Sequence, residues 1–247
     1  MIYTLPTITK DWGFCSDPHA YHTNIIEYGN RPFGSALEMN GAMIARWNRI
    51  ISETGNVLCL GDLVFISGKK WEEWQRRNVR EYLSALNGTI WLVPGNHDEL
   101  LVEMYKEGDP VVISKVRLLE PYVETKIGTM SAVLCHYPLE RWHHMNTAVH
   151  LHGHTHPTSQ DGKIVDPFGG LGNKRNRLNL CADVLAQGYG IDTYAPIGWA
   201  TLHRLLTQVN QPLCQADPPA GYCGGTSNST CVTAPVSSIV RSTSDAE

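Results

Sequence analysis

Five short apolar runs, each cut off by a turn bearing Asp, Asn or His, constrain this chain more than any other feature. They are 12–15 (WGFC), 57–60 (VLCL), 89–93 (TIWLV), 131–135 (SAVLC) and 148–151 (AVHL). Each has strand length and carries β-branched or aromatic residues. Helical patterns fall between some of them. Ser35 and Glu38 form a capping box, and the helix they open sets Leu37, Ile44, Trp47 and Ile51 on roughly one face. A second helix, over 71–86, carries Trp71, Trp74, Tyr82 and Leu86 and ends at Asn87-Gly88, a favourable C-cap. Strands alternating with helices predict an α/β fold.

The 247 residues suit one domain plus a tail. From 211 onward Pro, Ser, Thr and Gly replace large apolar residues. Such a segment buries too little surface to offset its ordering entropy. The expected organisation is therefore a body over 1–210 and a disordered tail over 211–247. A net charge of -4 supplies no field for nucleic acid or an anionic membrane. No run reaches the roughly 18 apolar residues of a membrane span, and no secretory signal is legible at the N-terminus. The reading is cytoplasmic. Cys15, Cys59, Cys135 and Cys181 lie in or beside apolar runs, as small buried hydrophobes do in a reducing compartment. Cys214, Cys223 and Cys231 fall in the tail without CxxC spacing.

The chemistry sits in the residues just past each run. The first run leads to Asp17-Pro18-His19, the second to Gly61-Asp62, the third to Gly95-Asn96-His97-Asp98, the fourth to His136, and the fifth to Gly153-His154-Thr155-His156. In open α/β sheets, ligands gather beyond the carboxyl ends of the strands, so these loops should meet at one edge. The donors Asp17, His19, Asp62, Asn96, His97, His136, His154 and His156 are too many for one zinc, which takes about four ligands. They suit two cations sharing a carboxylate. Nitrogen and oxygen donors without thiolate favour Mn, with Fe, Zn, Co and Ni as alternatives, over Ca or Mg. Two dications facing two carboxylates and one hydroxide keep about one positive charge, which attracts a phosphate.

The ordered set Asp-x-His, Gly-Asp, Gly-Asn-His-Asp, lone His and Gly-His-x-His resembles the signature of the calcineurin-like metallophosphoesterases. The stretches SDPHAYHTNIIEYGNRPF, LHGHTH and RLNLCADV, with YAPIGW beyond, resemble the small single-domain bacterial and phage branch of that family. Phage origin would place the protein in a host cytoplasm. Pro18 and Leu63 depart from the commonest pattern, and neither is a ligand position. The resemblance implies a sandwich of two mixed β-sheets flanked by helices. It implies that Asp17, His19 and His156 hold one metal, that Asn96, His136 and His154 hold the second, and that Asp62 bridges them. His97 would serve the leaving group, oriented by Asp98. The implied activity is hydrolysis of phosphate mono- or diesters through attack of a metal-bound hydroxide on phosphorus. The alternatives are a nuclease acting on nucleic-acid phosphodiesters and a catalytically silent scaffold. Every motif position is filled, which argues against the scaffold.

Several conspicuous residues take plainer readings. Arg76, Arg77 and Arg80 are interleaved with Glu72, Glu73 and Glu81, as on a solvated helix face. Lys174, Arg175 and Arg177 read as a solvated loop, with a phosphate grip as the alternative. His22 could reach the site rim. His143, His144, His150, His152 and His203 read as structural or surface residues.

Overall fold

A computed structural model describes residues 3–66, 71–160, 163–168, 175–191 and 194–210. The chain divides into the units Met1–Gln211 and Pro212–Glu247. The expected tail and its three cysteines lie outside the described residues, as does Lys174.

The first sheet is built on β1 (Gly13–Cys15), β2 (Asn56–Cys59), β3 (Thr89–Leu92) and β4 (Val116–Leu118), all parallel, with β11 (Ile197–Gly198) added antiparallel to β1. The second runs in the order β10 (Arg177–Asn179), β7 (Val149–His152), β6 (Met130–Cys135) and β5 (Tyr122–Ile127); only β5 is antiparallel. A small hairpin, β8 (Thr158–Gln160) and β9 (Lys163–Asp166), stands apart. The architecture is thus two mixed sheets flanked by helices. All five anticipated runs are strands.

Period-2 alternation explains the layers. On β2 and β3, Val57, Cys59, Ile90 and Leu92 face one core with Met39, Met43, Trp47, Val79, Tyr82 and Leu83 of two helices. Those helices are α2 (Ala36–Ile50) and α3 (Glu73–Ala85); the single turn α1 (Ile25–Tyr28) precedes them. The alternate residues Phe14, Leu58 and Leu60 turn to the other side. There they meet Ala132, Leu134, Val149, Leu151 and Leu178 of the second sheet, with Leu202, Leu205 and Leu206 of α7 (Trp199–Asn210) closing the core. Burying each such side chain contributes about 1.5–3 kcal/mol before entropy is counted. The outward residues of β7 are His150 and His152, buried with ring centroids 5.2 Å apart, and Trp142 packs over His150. They are structural residues, as expected.

Two helix faces differ from the sequence reading. In α2 the buried stripe is Met39, Met43 and Trp47, spaced i, i+4, i+8, whereas Leu37 is 81% exposed. Ser35 does cap the helix by accepting from Glu38 N–H, but Glu38 reaches back to Gly34 N–H rather than to Ser35. In α3 the buried face holds Gln75, Val79, Tyr82 and Leu83, and Trp74 stays half exposed. Arg76 pairs with Glu103 and Glu107, Arg80 with Glu73 and Asp109, and Arg77 sits near Glu81, so this basic cluster is neutralised by carboxylates. Arg177 is buried and donates to Leu139 O. The remaining helices are α4 (Glu99–Glu107), α5 (Pro110–Lys115) and α6 (Ala182–Tyr189). No helix among the described residues is long and apolar enough to cross a membrane.

Candidate metal centre

β1, β2 and β3 run parallel side by side, and so do β6 and β7. The loops leaving their carboxyl ends bring the named donors into two groups. Asp17, His19 and His156 place ligand-type atoms within 4.8 Å of one another, and so do Asp62, His136 and His154. In the first group His19 Nε2 and His156 Nε2 stand 3.2 Å apart, each 3.7 Å from Asp17 Oδ1. In the second, His136 Nε2 lies 3.4 Å from Asp62 Oδ2 and 3.2 Å from Asn96 Oδ1. Asp62 Oδ2 is also 3.6 Å from His19 Nε2, so this one oxygen faces both groups.

The backbone is bent hard to achieve this. Asp17, His19, Asp62 and His154 have φ of 55°, 53°, 53° and 67°, in the left-handed region that non-glycine residues rarely occupy. The turns are pinned by hydrogen bonds. Asp17 N–H donates to Gly61 O, and His19 N–H to Asp62 O, both at 3.0 Å. His154 N–H lies 3.0 Å from each oxygen of Asp17, and His97 N–H donates to Asp62 Oδ1 at 2.8 Å. Gly95 and Gly153 lack a side chain for a steric reason: a Cβ on Gly95 would collide with Asp62 Oδ1, and one on Gly153 with Ser16 Oγ and Asp17 Oδ2.

Behind the donors is a supporting layer. His136 Nδ1 is 2.7 Å from Leu60 O; donating there leaves Nε2 free to ligate. His156 Nδ1 is 2.8 Å from Asp183 Oδ2, and Arg31 grips the same carboxylate through Nε at 2.8 Å and Nη2 at 2.9 Å. Arg31 also donates to Pro18 O and Asp17 O, so one buried guanidinium ties the Asp17 loop to the His156 loop. Cys181 Sγ lies 3.4 Å from His156 Nδ1. His156, Cys181 and Asp183 are close enough to form a third donor group. Asp183 is engaged by Arg31, however, and burial pushes the Cys181 thiol up, so the trio acts as support for His156. The sequence reading misses Arg31 and Asp183. Both sit in stretches that carry the family resemblance, but no local spacing marks them as partners.

Asp98 takes a different place from the one expected. Its carboxylate accepts N–H from Asp62 and Gly95 on Oδ2 and from Leu63 on Oδ1. It therefore stitches the 61–63 loop to the 95–98 loop instead of orienting the His97 ring. Burial, with the Asp62 charge adding to it, pushes Asp98 up to about 6 despite these three donors. The His97 ring instead packs edge-on to Phe65 at 4.7 Å and lies 5.4 Å from the His19 ring.

The donor set fits divalent cations. Its nitrogens and oxygens converge with few protons to place between them, and its field favours positive charge. Burial draws the His136 imidazole down, yet Asp62 and Asp17 outweigh it and bring the group to about 9. The field that would hold a proton on His136 is one that attracts a cation.

Comparison with known proteins agrees with the geometry. The family described as calcineurin-like phosphoesterase matches residues 13–193. An uncharacterized protein of Methanocaldococcus jannaschii is 32% identical over 191 residues, 77% of this chain and 88% of that protein. Among solved structures, a protein of unknown function from Aquifex aeolicus aligns with a TM-score of 0.53 at 20% identity, covering 78% of this chain and 98% of that one. A Pseudomonas putida nuclease aligns with a TM-score of 0.37 at 19% identity, covering 63% of this chain and 66% of its own. The chain belongs to the calcineurin-like phosphoesterase family and is a metal-dependent phosphoric ester hydrolase.

Proposed function

We propose that this phosphoesterase hydrolyses phosphate mono- or diesters with two divalent cations, manganese first among them, bound side by side. The observation that supports a pair over a single ion is the Asp62 carboxylate, whose Oδ2 lies 3.6 Å from His19 Nε2 and 3.4 Å from His136 Nε2. Asp17, His19 and His156 would hold one cation, Asn96, His136 and His154 the other, with Asp62 common to both. When bound, the pair would supply a hydroxide nucleophile at neutral pH and draw charge from the phosphoryl oxygens.

The chain's own residues do the rest. His97, half-buried beside both donor groups, is assigned to the leaving oxygen, where its ring donates a proton or stabilises charge. Its backbone N–H on Asp62 Oδ1 leaves Asp62 Oδ2 facing His19 and His136, where it would be free to hold metal. Asp98 is a positioning residue: through its three backbone contacts it holds the turn that presents Asp62 against the turn that presents Asn96 and His97.

The test uses the full chain and bis-p-nitrophenyl phosphate. Hydrolysis should vanish with chelator, return with Mn²⁺, and accompany two metal ions per chain. His97→Ala should lower turnover by about 10²–10⁴-fold, the usual worth of a general acid, with metal content unchanged. Activity indifferent to chelator, or one ion per fully active chain, overturns the reading; metal loss in His97→Ala would make His97 a ligand.

A further inference from the structure

Beside the metal centre opens a cavity of about 410 Å³, within the range of small-molecule sites. Its inner wall is His22 and Phe65, stacked with centroids 3.8 Å apart and 25° between planes. These rings also border the reaction site: Phe65 abuts His97, and the His22 ring is 5.4 Å from His19. The cavity therefore lies on the His97 side of the donors. Its outer wall includes Trp74, Tyr21, Asn24 and Asn78.

Two observations describe what would fill it. First, Tyr21, His22, Phe65 and Trp74 bring flat rings to a wall that also holds Ala36 and Ile66, and Trp74, a residue that is normally covered, is 50% exposed. Tyr28 and Leu37, 60% and 81% exposed, lie next to the lining, Tyr28 against His22 and Leu37 adjoining Ala36. Second, the polar side chains on the described wall are Tyr21, His22, Thr23, Asn24 and Asn78 with the Trp74 indole, none of them a carboxylate, lysine or arginine, and their amides and hydroxyls both donate and accept. A flat, neutral heteroaromatic ring with donors and acceptors on its edge answers both. An aliphatic alcohol would leave the exposed face of Trp74 without a stacking partner.

We propose that this cavity binds a nucleobase, so that the alcohol expelled from phosphorus beside His97 is a nucleoside. The assignment of a leaving group rests on the phosphoesterase reading above; the binding of the base does not.

The experiment separates the two. Isothermal titration calorimetry of the full chain with adenosine needs neither metal nor turnover, and ribose serves as the ring-free control. Adenosine should bind and ribose should not. Trp74→Ala should weaken adenosine about fivefold or more, as loss of a base–aromatic stack does, and Trp74→Phe should restore it. Absence of adenosine binding, or binding unchanged in Trp74→Ala, overturns the proposal, whatever the chelator experiment shows. With Mn²⁺ present, adenosine should inhibit hydrolysis of bis-p-nitrophenyl phosphate, and less so in Trp74→Ala; binding without inhibition removes the leaving-group role. Displacement of adenosine by AMP alone assigns mononucleotides, and displacement by a short oligodeoxyadenylate as well assigns nucleic-acid ends. Displacement by neither overturns the assignment.

Discussion

Asp183→Asn tests the support of the metal centre most directly. Asp183 is fully buried, and its two oxygens accept three N–H groups: Arg31 Nε, Arg31 Nη2 and His156 Nδ1, all at 2.8–2.9 Å. Burial alone would raise its pKa, but the Arg31 charge and the His156 contact outweigh this and hold the carboxyl below its usual value. An asparagine of the same shape keeps one acceptor oxygen. Whichever way the amide turns, its NH₂ confronts a donor, and the buried guanidinium loses its counter-charge. Removing one partner of a buried pair costs about 3–5 kcal/mol. Arg31 keeps its two carbonyl partners, Pro18 and Asp17, so the lower end, about 3 kcal/mol, applies. For a domain of this size each kcal/mol moves the melting temperature by about 2–4 °C, so the chelated variant should melt roughly 6–12 °C lower. Separately, His156 loses the acceptor that fixes its ring, which should weaken metal binding by about 10–100-fold. Calorimetric melting in chelator reads the first effect; Mn²⁺ titration well below both melting temperatures reads the second. A variant melting within about 2 °C of the parent and binding metal equally would show that the Arg31–Asp183–His156 chain carries no energetic weight.

Other perturbations give independent checks. Gly153→Ala drives a Cβ into Ser16 Oγ and Asp17 Oδ2, so it should displace Asp17 and lower the metal content per chain, which metal analysis of the purified protein would count. His150 has its pKa lowered to about 4, chiefly by burial, from an ordinary 6.5. The unfolded chain therefore binds the extra proton first as pH falls: the stability due to the neutral ring is whole above pH 6.5 and is lost on the way down to about 4. The slope of urea midpoint against pH in the metal-free protein should flatten between those values in His150→Gln. Deleting 211–247 should leave activity and melting temperature nearly unchanged, since that stretch has few large apolar residues to contribute to a core; a drop beyond a few degrees would refute it.

Legibility in the sequence depends on distance along the chain. Asp17, Asp62, Asn96, His136 and His154 sit within a few residues of a strand end, so a local pattern of apolar run, turn and donor exposes them. The Arg31–Asp183 pair spans 152 residues, and no local pattern reports such a contact. Sequence places Asp98 in the right loop but gives it the wrong partner, because a carboxylate next to a histidine looks like its orienter until the orphan N–H groups of neighbouring turns come into view. In α2 both the stripe through Leu37 and the stripe through Met39 satisfy helical periodicity; the sheet beneath decides between them. Size alone assigns Trp74 to the core, while its exposure traces to the cavity it borders.

The left-handed turns at Asp17, His19, Asp62 and His154 have a consequence for durability. His19 and His154 there hold a conformation that costs an ordinary L-residue about 1–2 kcal/mol, whereas glycine adopts it freely and aspartate visits it more readily. His154 shows it most plainly, because its backbone N–H serves Asp17 whatever side chain it bears. Selection for heat resistance alone would favour glycine at 154, and in doing so would remove one imidazole from the second donor group.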